Sequence, residues 1–105
     1  MLDLYFLDRS ATALPASPDG LHYAVSIDLD FHRALRLLWK ECERAGVRLG
    51  YFEDSLLSVA QIESVLAIFN AHDGQPGSDH PAFAVVQTVL ATAKAKGSAL
   101  AAYCD

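Results

Sequence analysis

Residues 79–104, DHPAFAVVQTVLATAKAKGSALAAYC, carry the strongest indication of the fold, because they predict a long helix that runs directly into a strand. Asp79 and Pro81 are typical of a helix N-terminus, with Asp79 as the cap. Apolar residues recur at helical spacing up to two lysines in the last turn, and Gly97 follows as the C′ residue. Residues 98–104 are small and apolar, which is typical of a strand in a crowded central position of a sheet.

The residues before this segment predict three further strands and two further helices. One helix has an apolar stripe from Phe31 to Ala45, and Gly46 ends it. The other helix begins at Ser58, which has Gln61 at the spacing of a capping box. The strands are predicted from apolar, aromatic and β-branched runs at residues 2–7, 22–27 and 47–52.

The element order is therefore ββαβααβ within a single globular domain over residues 1–105. This order predicts an α+β or α/β fold in which three helices cover one layer of about four strands. A chain of 105 residues with 52% hydrophobic content has enough apolar material for a core without a metal or a disulfide. Cys42 and Cys104 fit neither a disulfide framework nor a zinc site, so we predict reduced thiols and no cofactor.

Charge and hydropathy restrict the class of partner and the compartment. The formal net charge is −5, from 8 basic and 13 acidic residues, which argues against binding to nucleic acid or to an anionic membrane. No apolar run reaches the length of a membrane span, and the first residues lack the basic region of a signal peptide. These features predict a cytoplasmic protein that binds neither nucleic acid nor a membrane.

Asp28, Asp30 and His32 lie at alternate positions of the sequence DLDFH and allow two interpretations. If they continued the second strand, one face would present two carboxylates and an imidazole, which could hold a divalent cation in a small hydrolase. The loop histidines His72 and His80 could then assist in acid–base chemistry. Alternatively, Asp28 or Asp30 is the N-cap of the first helix. We favour the cap, and predict no metal, because the helical stripe begins immediately afterwards.

Two other groups of side chains have ordinary structural interpretations. The basic row Arg33, Arg36, Lys40 and Arg44 lies opposite the apolar stripe of the first helix, and Glu41 beside it indicates a solvated face. Cys42 belongs to the apolar stripe, and Cys104 is followed by Asp105, whose charge should raise the pKa of the thiol. The cysteines are therefore poor nucleophiles, and we predict that the protein is not an enzyme.

The helix that begins at Ser58 has an unusually broad apolar arc, which covers about half of its circumference. A helix of this kind is either sandwiched between other elements or covered by a partner. If that partner is a second copy of the chain, the protein is a homodimerising regulatory module, which is an alternative function.

The segment Tyr51-Phe52-Glu53-Asp54 combines two aromatic rings with two adjacent acids just before this helix. Rigid aromatic area beside charge is typical of a protein contact surface. The surrounding residues 49–93 contain no Lys or Arg, and their five acids equal the whole net charge of the chain. The predicted partner-binding residues are Tyr51, Phe52, Glu53, Asp54, Asp73 and Asp79.

Residues 46–62 and 97–105 resemble small immunity proteins that are encoded beside bacterial polymorphic toxins, in contact-dependent or type VI secretion systems. In such proteins a Tyr-Glu-Asp-Thr/Ser-x-Leu-Ser-like stretch opens a helix that begins Gln-Ile or Gln-Leu. Here Tyr51 and Glu53 are separated by Phe52, and the helix contains Gln61-Ile62. The resemblance implies a cytosolic protein that binds one cognate toxin domain and blocks it without catalysis. An acidic inhibitor is suited to a basic toxin.

Overall fold

The computed structural model describes residues 1–76 and 78–105, and within them four strands form one antiparallel sheet with four helices on one face. This is an α+β fold, as predicted, because every strand pair is antiparallel. The elements in chain order are β1 (Leu2–Leu7), β2 (His22–Ile27), α1 (Leu29–Ala34), α2 (Arg36–Arg44), β3 (Ser55–Leu57), α3 (Val59–His72), α4 (Pro81–Lys96) and β4 (Ala99–Cys104).

The strand order is β2-β1-β4-β3, so the first and last strands of the chain form the centre of the sheet. Asp3 pairs with Tyr103, and Leu7 pairs with Ala99. The residues from Ala99 to Tyr103 are all buried. This confirms the predicted central position of the final strand, where small side chains allow both layers to pack closely.

The two faces of the sheet are covered differently. Leu2, Leu4 and Leu100 contribute to a large core shared with the helices. The other face, which includes Ala101 and Tyr103, is covered by part of residues 8–21, which connect β1 to β2. We call this connection the cover loop. The Tyr103 hydroxyl donates a hydrogen bond of 2.8 Å to the carbonyl of Pro15, which ties the loop to the sheet.

The predicted first helix is divided in two, because α1 ends at Ala34 and α2 begins at Arg36. Leu35 lies between them with φ −102° and ψ 17°, and its side chain is buried. The indole Nε1 of Trp39 donates to the carbonyl of His32 at 2.9 Å, so a side chain takes part in the hydrogen bonding of the last turn of α1. The hydropathy pattern does not predict this interruption of the helix at Leu35. The hydrogen bond between Trp39 and His32 spans it.

The prediction of a strand at residues 47–52 is wrong, since β3 is three residues long and begins at Ser55. Val47 instead closes the end of α2, where its N–H donates to the carbonyl of Cys42 at 2.9 Å and its side chain enters the core. The pairing with β4 starts only at Ser55, opposite Ala102. The aromatic and β-branched residues of this run pack in the core or lie at the surface, and they do not pair with a neighbouring strand.

Asp79 is not the cap of α4, because His80 occupies that position. Nδ1 of His80 accepts a hydrogen bond of 3.1 Å from the backbone N–H of Ala82. Pro81 is the first helical residue, where a missing N–H costs nothing, so the cap is the residue directly before it. The predicted C′ glycine is confirmed, since Gly97 has the left-handed φ of 66°.

The broad apolar arc of α3 is covered within the chain, because α3 packs against α2, α4 and the sheet. Its buried residues include Ile62, Val65 and Phe69. The capping box of Ser58 and Gln61 is confirmed at its start. The arc therefore gives no indication of a homodimer. In the parts of the chain that the structure describes, every helix is too short or too polar to reach across a bilayer.

Candidate functional site

The segment Tyr51–Asp54 lies at one end of the sheet and is fastened to it by Asp54. The Asp54 carboxylate accepts a hydrogen bond of 2.9 Å from the backbone N–H of Cys104, at the end of β4. Ser55 then begins the pairing of β3 with the same strand. Asp54 is therefore a positioning residue, which orients the exposed aromatic residues relative to the sheet.

Tyr51 and Phe52 end a series of aromatic contacts that begins in the core, which we call the aromatic column (Phe52, Tyr51, His32, Trp39 and Phe69). The ring of Phe69 lies 5.8 Å from Trp39, and Trp39 is stacked on His32 at 5.2 Å. His32 contacts Tyr51 at 5.3 Å, and Tyr51 meets Phe52 edge-on at 5.0 Å. Phe52 is 79% exposed, so a rigid support presents one large apolar ring to solvent.

Four carboxylates influence the Tyr51 hydroxyl, near the outer end of this column. Partial burial raises the pKa of the Tyr51 hydroxyl, and four nearby carboxylates raise it further. We call these carboxylates the acidic end of the sheet; they belong to Asp28, Asp105, Asp3 and Asp30. Two cations offset part of the charge, because the Met1 ammonium pairs with Asp105 at 3.3 Å and Arg48 pairs with Glu53 at 3.1 Å. The ring of Phe52 is thus attached to a predominantly acidic surface.

Glu53 folds back over Gly50, which explains the glycine. A Cβ atom at Gly50 would lie 2.5 Å from the carboxylate oxygen of Glu53. The absence of a side chain therefore allows Glu53 to reach Arg48, and their ion pair spans the turn that presents Tyr51 and Phe52. Gly50 therefore marks the close approach of a side chain.

Asp73 and Asp79 lie in a different place, in the connection between α3 and α4. The Asp73 carboxylate accepts a hydrogen bond of 3.3 Å from the Gln87 side chain. Asp79 precedes His80, whose ring contacts Phe31 at 5.8 Å. Across residues 1–76 and 78–105, no hydrogen bond or ion pair connects these two acids to the segment Tyr51–Asp54. The six predicted residues therefore do not meet as one cluster of contacts.

Asp28 caps α1 and is one of the two acids that the sequence offered for this position, the other being Asp30. The Asp28 carboxylate accepts a hydrogen bond of 2.8 Å from the backbone N–H of Phe31. His32 belongs to the aromatic column, and its buried Nδ1 has no hydrogen-bond partner. Because Asp28, Asp30 and His32 follow a helical turn rather than a strand, they do not share the face that a metal would need. Over the described ranges, no three His, Cys, Asp or Glu side chains converge on a common point suited to a metal ion.

The loop histidines have structural partners. Nδ1 of His72 lies 2.8 Å from the carbonyl of Ile68, one turn earlier in α3. His80 caps α4. Neither hydrogen bond joins a histidine to Asp28 or Asp30, although the ring of His80 contacts Phe31.

Both cysteines have a raised pKa, which for Cys104 is the predicted direction. Burial is the main reason that the Cys42 thiol has a pKa of about 11. For Cys104, burial again raises the pKa, followed by the hydrogen bond and charge of Asp54, while Asp105 contributes least among the groups that raise it. The sequence identified the direction of the shift but not its principal cause. Both thiols stay protonated at neutral pH.

Lowering the pH is expected to destabilise the protein through His32. Burial lowers the pKa of His32 below its ordinary value of 6.5, so the unfolded chain binds this proton at a higher pH than the folded one. The contribution of neutral His32 to the free energy of unfolding is complete above about 6.5 and decreases as pH falls toward the folded pKa. Urea unfolding at a series of pH values would measure this slope.

His32→Phe keeps a ring in the aromatic column without a titrating nitrogen, and we expect a shallower pH dependence for this variant. His22→Gln, at an exposed position of β2, is the matched control and should keep the wild-type slope. An unchanged slope in His32→Phe would show that other groups cause the acid destabilisation.

The acidic end includes two carboxylates that sequence reasoning missed, those of Asp3 and Asp105. Strand pairing brings them together, because β1 and β4 are antiparallel and the start of one adjoins the end of the other. The topology was the missing information, since the two residues are about a hundred positions apart in the sequence. The assembled site is an exposed ring on a rigid support among carboxylates, which has the chemistry of a contact surface. Comparisons of the chain with protein-family models, curated proteins and solved structures give no match.

Proposed function

We propose that this protein is an immunity protein, which binds a cognate basic toxin domain in the bacterial cytoplasm and neutralises it without catalysis of its own. The observation that carries the proposal is the ring of Phe52, which is 79% exposed at the outer end of the aromatic column and contacts Tyr51, whose hydroxyl is influenced by the acidic end. The resemblance of residues 46–62 and 97–105 to immunity proteins supports the same function. We expect the contact surface to consist of Tyr51, Phe52, Glu53 and the acidic end.

Phe52 has the properties of an interface anchor. Large aromatic residues near the centre of an interface often contribute 2 kcal/mol or more to binding, as measured by truncation to alanine. The turn that holds Phe52 is fixed by the Arg48–Glu53 ion pair and by the Asp54 hydrogen bond to β4. Because the ring is already positioned, little conformational entropy is lost when a partner covers it.

The carboxylates contribute mainly to association rate and selectivity. Asp3, Asp28 and Asp30 lie in one region without an ion pair to any described Lys or Arg. A basic partner would be attracted to this region over about 10 Å at 0.1 M salt, and the attraction would decrease as salt is added. An active-site region lined with cations, as in a nuclease, is a surface of the required sign.

The test is binding and growth protection against the protein encoded by the neighbouring gene. We expect Phe52→Ala to weaken binding by about 30-fold, which corresponds to 2 kcal/mol, and to reduce protection of cells that express the neighbour. Leu37→Ala is the matched control, because Leu37 is 68% exposed on α2, outside the proposed surface. Isothermal titration calorimetry and growth curves give the two readouts.

Two variants that each remove one charge distinguish an error in the proposed contact surface from an error in the proposed function. Asp30→Asn is expected to reduce the association rate and its salt dependence, whereas Glu63→Asn, at an exposed position of α3, should have little effect. Wild-type affinity in both Phe52→Ala and Asp30→Asn would place the contact elsewhere. The proposed function is wrong if the neighbouring protein does not bind the wild type and does not harm cells that lack the proposed immunity protein.

A further inference from the structure

The two edge strands of the sheet, β2 and β3, differ in how their outer edges are protected. β3 has only three residues, and Asp54 just before it accepts the N–H of Cys104 at 2.9 Å. β2 has six residues, and none of them is Lys, Arg, Asp, Glu or Pro. Charged residues, proline and short length are the usual means by which natural sheets keep other strands from pairing with an edge. The edge of β2 has none of the three.

The strand registers identify the backbone groups that point outward from β2. The N–H of Asp105 donates to the carbonyl of Met1, so the odd-numbered residues of β1 bond to β4. The even-numbered residues of β1 therefore bond to β2, where their partners are Ile27, Val25 and His22. The N–H and C=O groups of Tyr23 and Ser26 consequently point away from β1. In the described part of the chain, these backbone groups have no hydrogen-bond partner.

The β-bulge in β2 leaves these outward groups at the spacing of a regular strand. Ala24 is the extra residue, at the register shift between Leu4 and Tyr5. Tyr23 and Ser26 therefore lie opposite two residues of β1 that are only two positions apart, a span of about 6.6 Å. This is the interval at which an added antiparallel strand presents its own bonding groups.

The bulge also makes the side-chain pattern of β2 the same in both directions. The Tyr23 ring contacts Tyr5 at 5.6 Å on the face of the cover loop. The Ser26 hydroxyl donates to Asp3 at 2.6 Å on that same face. The side chains on the helix face are those of His22, Ala24, Val25 and Ile27. The order of faces is identical from residue 22 to 27 and from 27 to 22, so β2 matches a second β2 that runs antiparallel to it.

We propose that two copies of this chain associate through β2, which pairs antiparallel with β2 of the second copy and joins the two sheets into one. The two-fold axis passes between Ala24 and Val25. Tyr23 of each copy then lies opposite Ser26 of the other, so the outward N–H and C=O groups of both residues are paired. No like charges meet along the strands, because β2 has no Lys, Arg, Asp or Glu.

Charge on the helix face favours this arrangement of the two copies. Nζ of Lys96 lies 4.1 Å from the ring of Phe6, whose residue pairs with the first residue of β2. Asp28 and Asp30 follow the last residue of β2. The two-fold axis brings the start of each β2 to the end of the other, so the lysine of one copy is attracted by the acids of the second within a Debye length of about 10 Å. A head-to-tail chain of copies would need the edge of β3, which is short.

The test combines sedimentation velocity with amide hydrogen exchange measured by NMR, on the full chain under reducing conditions, from about 10 μM to about 1 mM protein. We expect a weak dimer with a Kd of about 0.1 mM, because a strand edge buries little area. The amides of Tyr23 and Ser26 should exchange more slowly as the concentration rises. The amides of Val25 and Ile27, which bond to β1, should be protected at every concentration.

Substitutions at the edge separate pairing through β2 from association elsewhere. Tyr23→Lys places a charge on the edge and is expected to weaken the dimer by at least about tenfold. Tyr23→Thr keeps a neutral residue suited to a strand and should retain the dimer. Leu37→Lys is the matched control, because it adds the same charge on α2 at a side chain that is 68% exposed. Thermal unfolding of each variant checks that it folds.

Three outcomes would overturn the proposal. They are a monomer over the whole concentration range, a dimer in which the exchange of the Tyr23 and Ser26 amides does not depend on concentration, and equal weakening by Tyr23→Lys and Leu37→Lys. The inference does not depend on the proposed immunity function, since β2 shares no residue with the proposed contact surface. Phe52→Ala should therefore dimerise like the wild type, and the two proposals can fail separately.

Discussion

Phe69→Ala is expected to lower the free energy of unfolding by about 3–5 kcal/mol. Phe69 is 0% exposed in the middle of α3, and its ring is stacked on Phe83 at 5.2 Å and lies 5.8 Å from Trp39. Truncation removes the apolar area of the ring and leaves a cavity where helices α2, α3 and α4 meet. The free energy of unfolding of a small domain is about 5–15 kcal/mol, so this substitution removes a large part of it.

Urea unfolding followed by circular dichroism measures the effect of Phe69→Ala. Phe52→Ala removes the same ring at an exposed position and should change the free energy of unfolding by no more than about 0.5 kcal/mol. Similar losses in the two variants would contradict the arrangement of the helices, because one phenylalanine would then be as buried as the other.

Trp39→Ala is expected to cost about 3–5 kcal/mol for a different reason. Trp39 is 8% exposed, stacks on His32 and meets Phe69 at a tilted angle, so it joins α1 and α2 to α3. Its indole N–H is also the donor to the carbonyl of His32, at the end of α1. The variant loses apolar burial, an aromatic stack and a hydrogen bond together.

Trp39→Phe separates these contributions, since it keeps an aromatic ring and removes the donor. We expect a loss of about 1–3 kcal/mol, because a smaller ring fills the site and the carbonyl of His32 loses a partner. Lys40→Ala, the exposed neighbour, is the control and should be close to wild type. If Trp39→Phe were as stable as the wild type, the indole hydrogen bond would not support the junction of α1 and α2.

The sequence predicted features of the helix ends that depend on residues a few positions apart. The caps at Asp28 and Ser58 and the C′ position of Gly97 depend on residues a few positions apart, so their patterns are visible without a structure. The cap of α4 was misassigned by one residue, because Asp79 and His80 both have side-chain acceptors, and Pro81 decides between them.

Tertiary interactions determined the features that the sequence did not reveal. The apolar stripe is continuous across Leu35, so the hydropathy pattern does not show the interruption of the helix that the backbone has there. The run at residues 47–52 has strand composition, but Val47 packs in the core and Phe52 is exposed. Whether such a run becomes a strand depends on its position relative to β4.

The candidate site was predictable in part. Tyr51 and Phe52 were identified from their composition, and their geometry rests on contacts with His32 and Trp39 that no pattern contains. Contiguity in sequence suggested that the acids of residues 49–93 would act together. All four carboxylates that raise the pKa of Tyr51 lie outside this stretch, including Asp3 and Asp105 at the ends of paired strands. Acidic residues that are neighbours in the sequence are therefore not the ones that lie together on the folded surface.

The position of β1 and β4 at the centre of the sheet has a consequence for folding. These strands are residues 2–7 and 99–104, so the main ladder closes a loop of nearly the whole chain. Closing a long loop is entropically costly and slows folding. During synthesis, the helices can form before β4 leaves the ribosome, but the sheet cannot be completed. A nascent chain that ends before residue 99 leaves one side of β1 unpaired and is open to proteolysis until the last strand arrives.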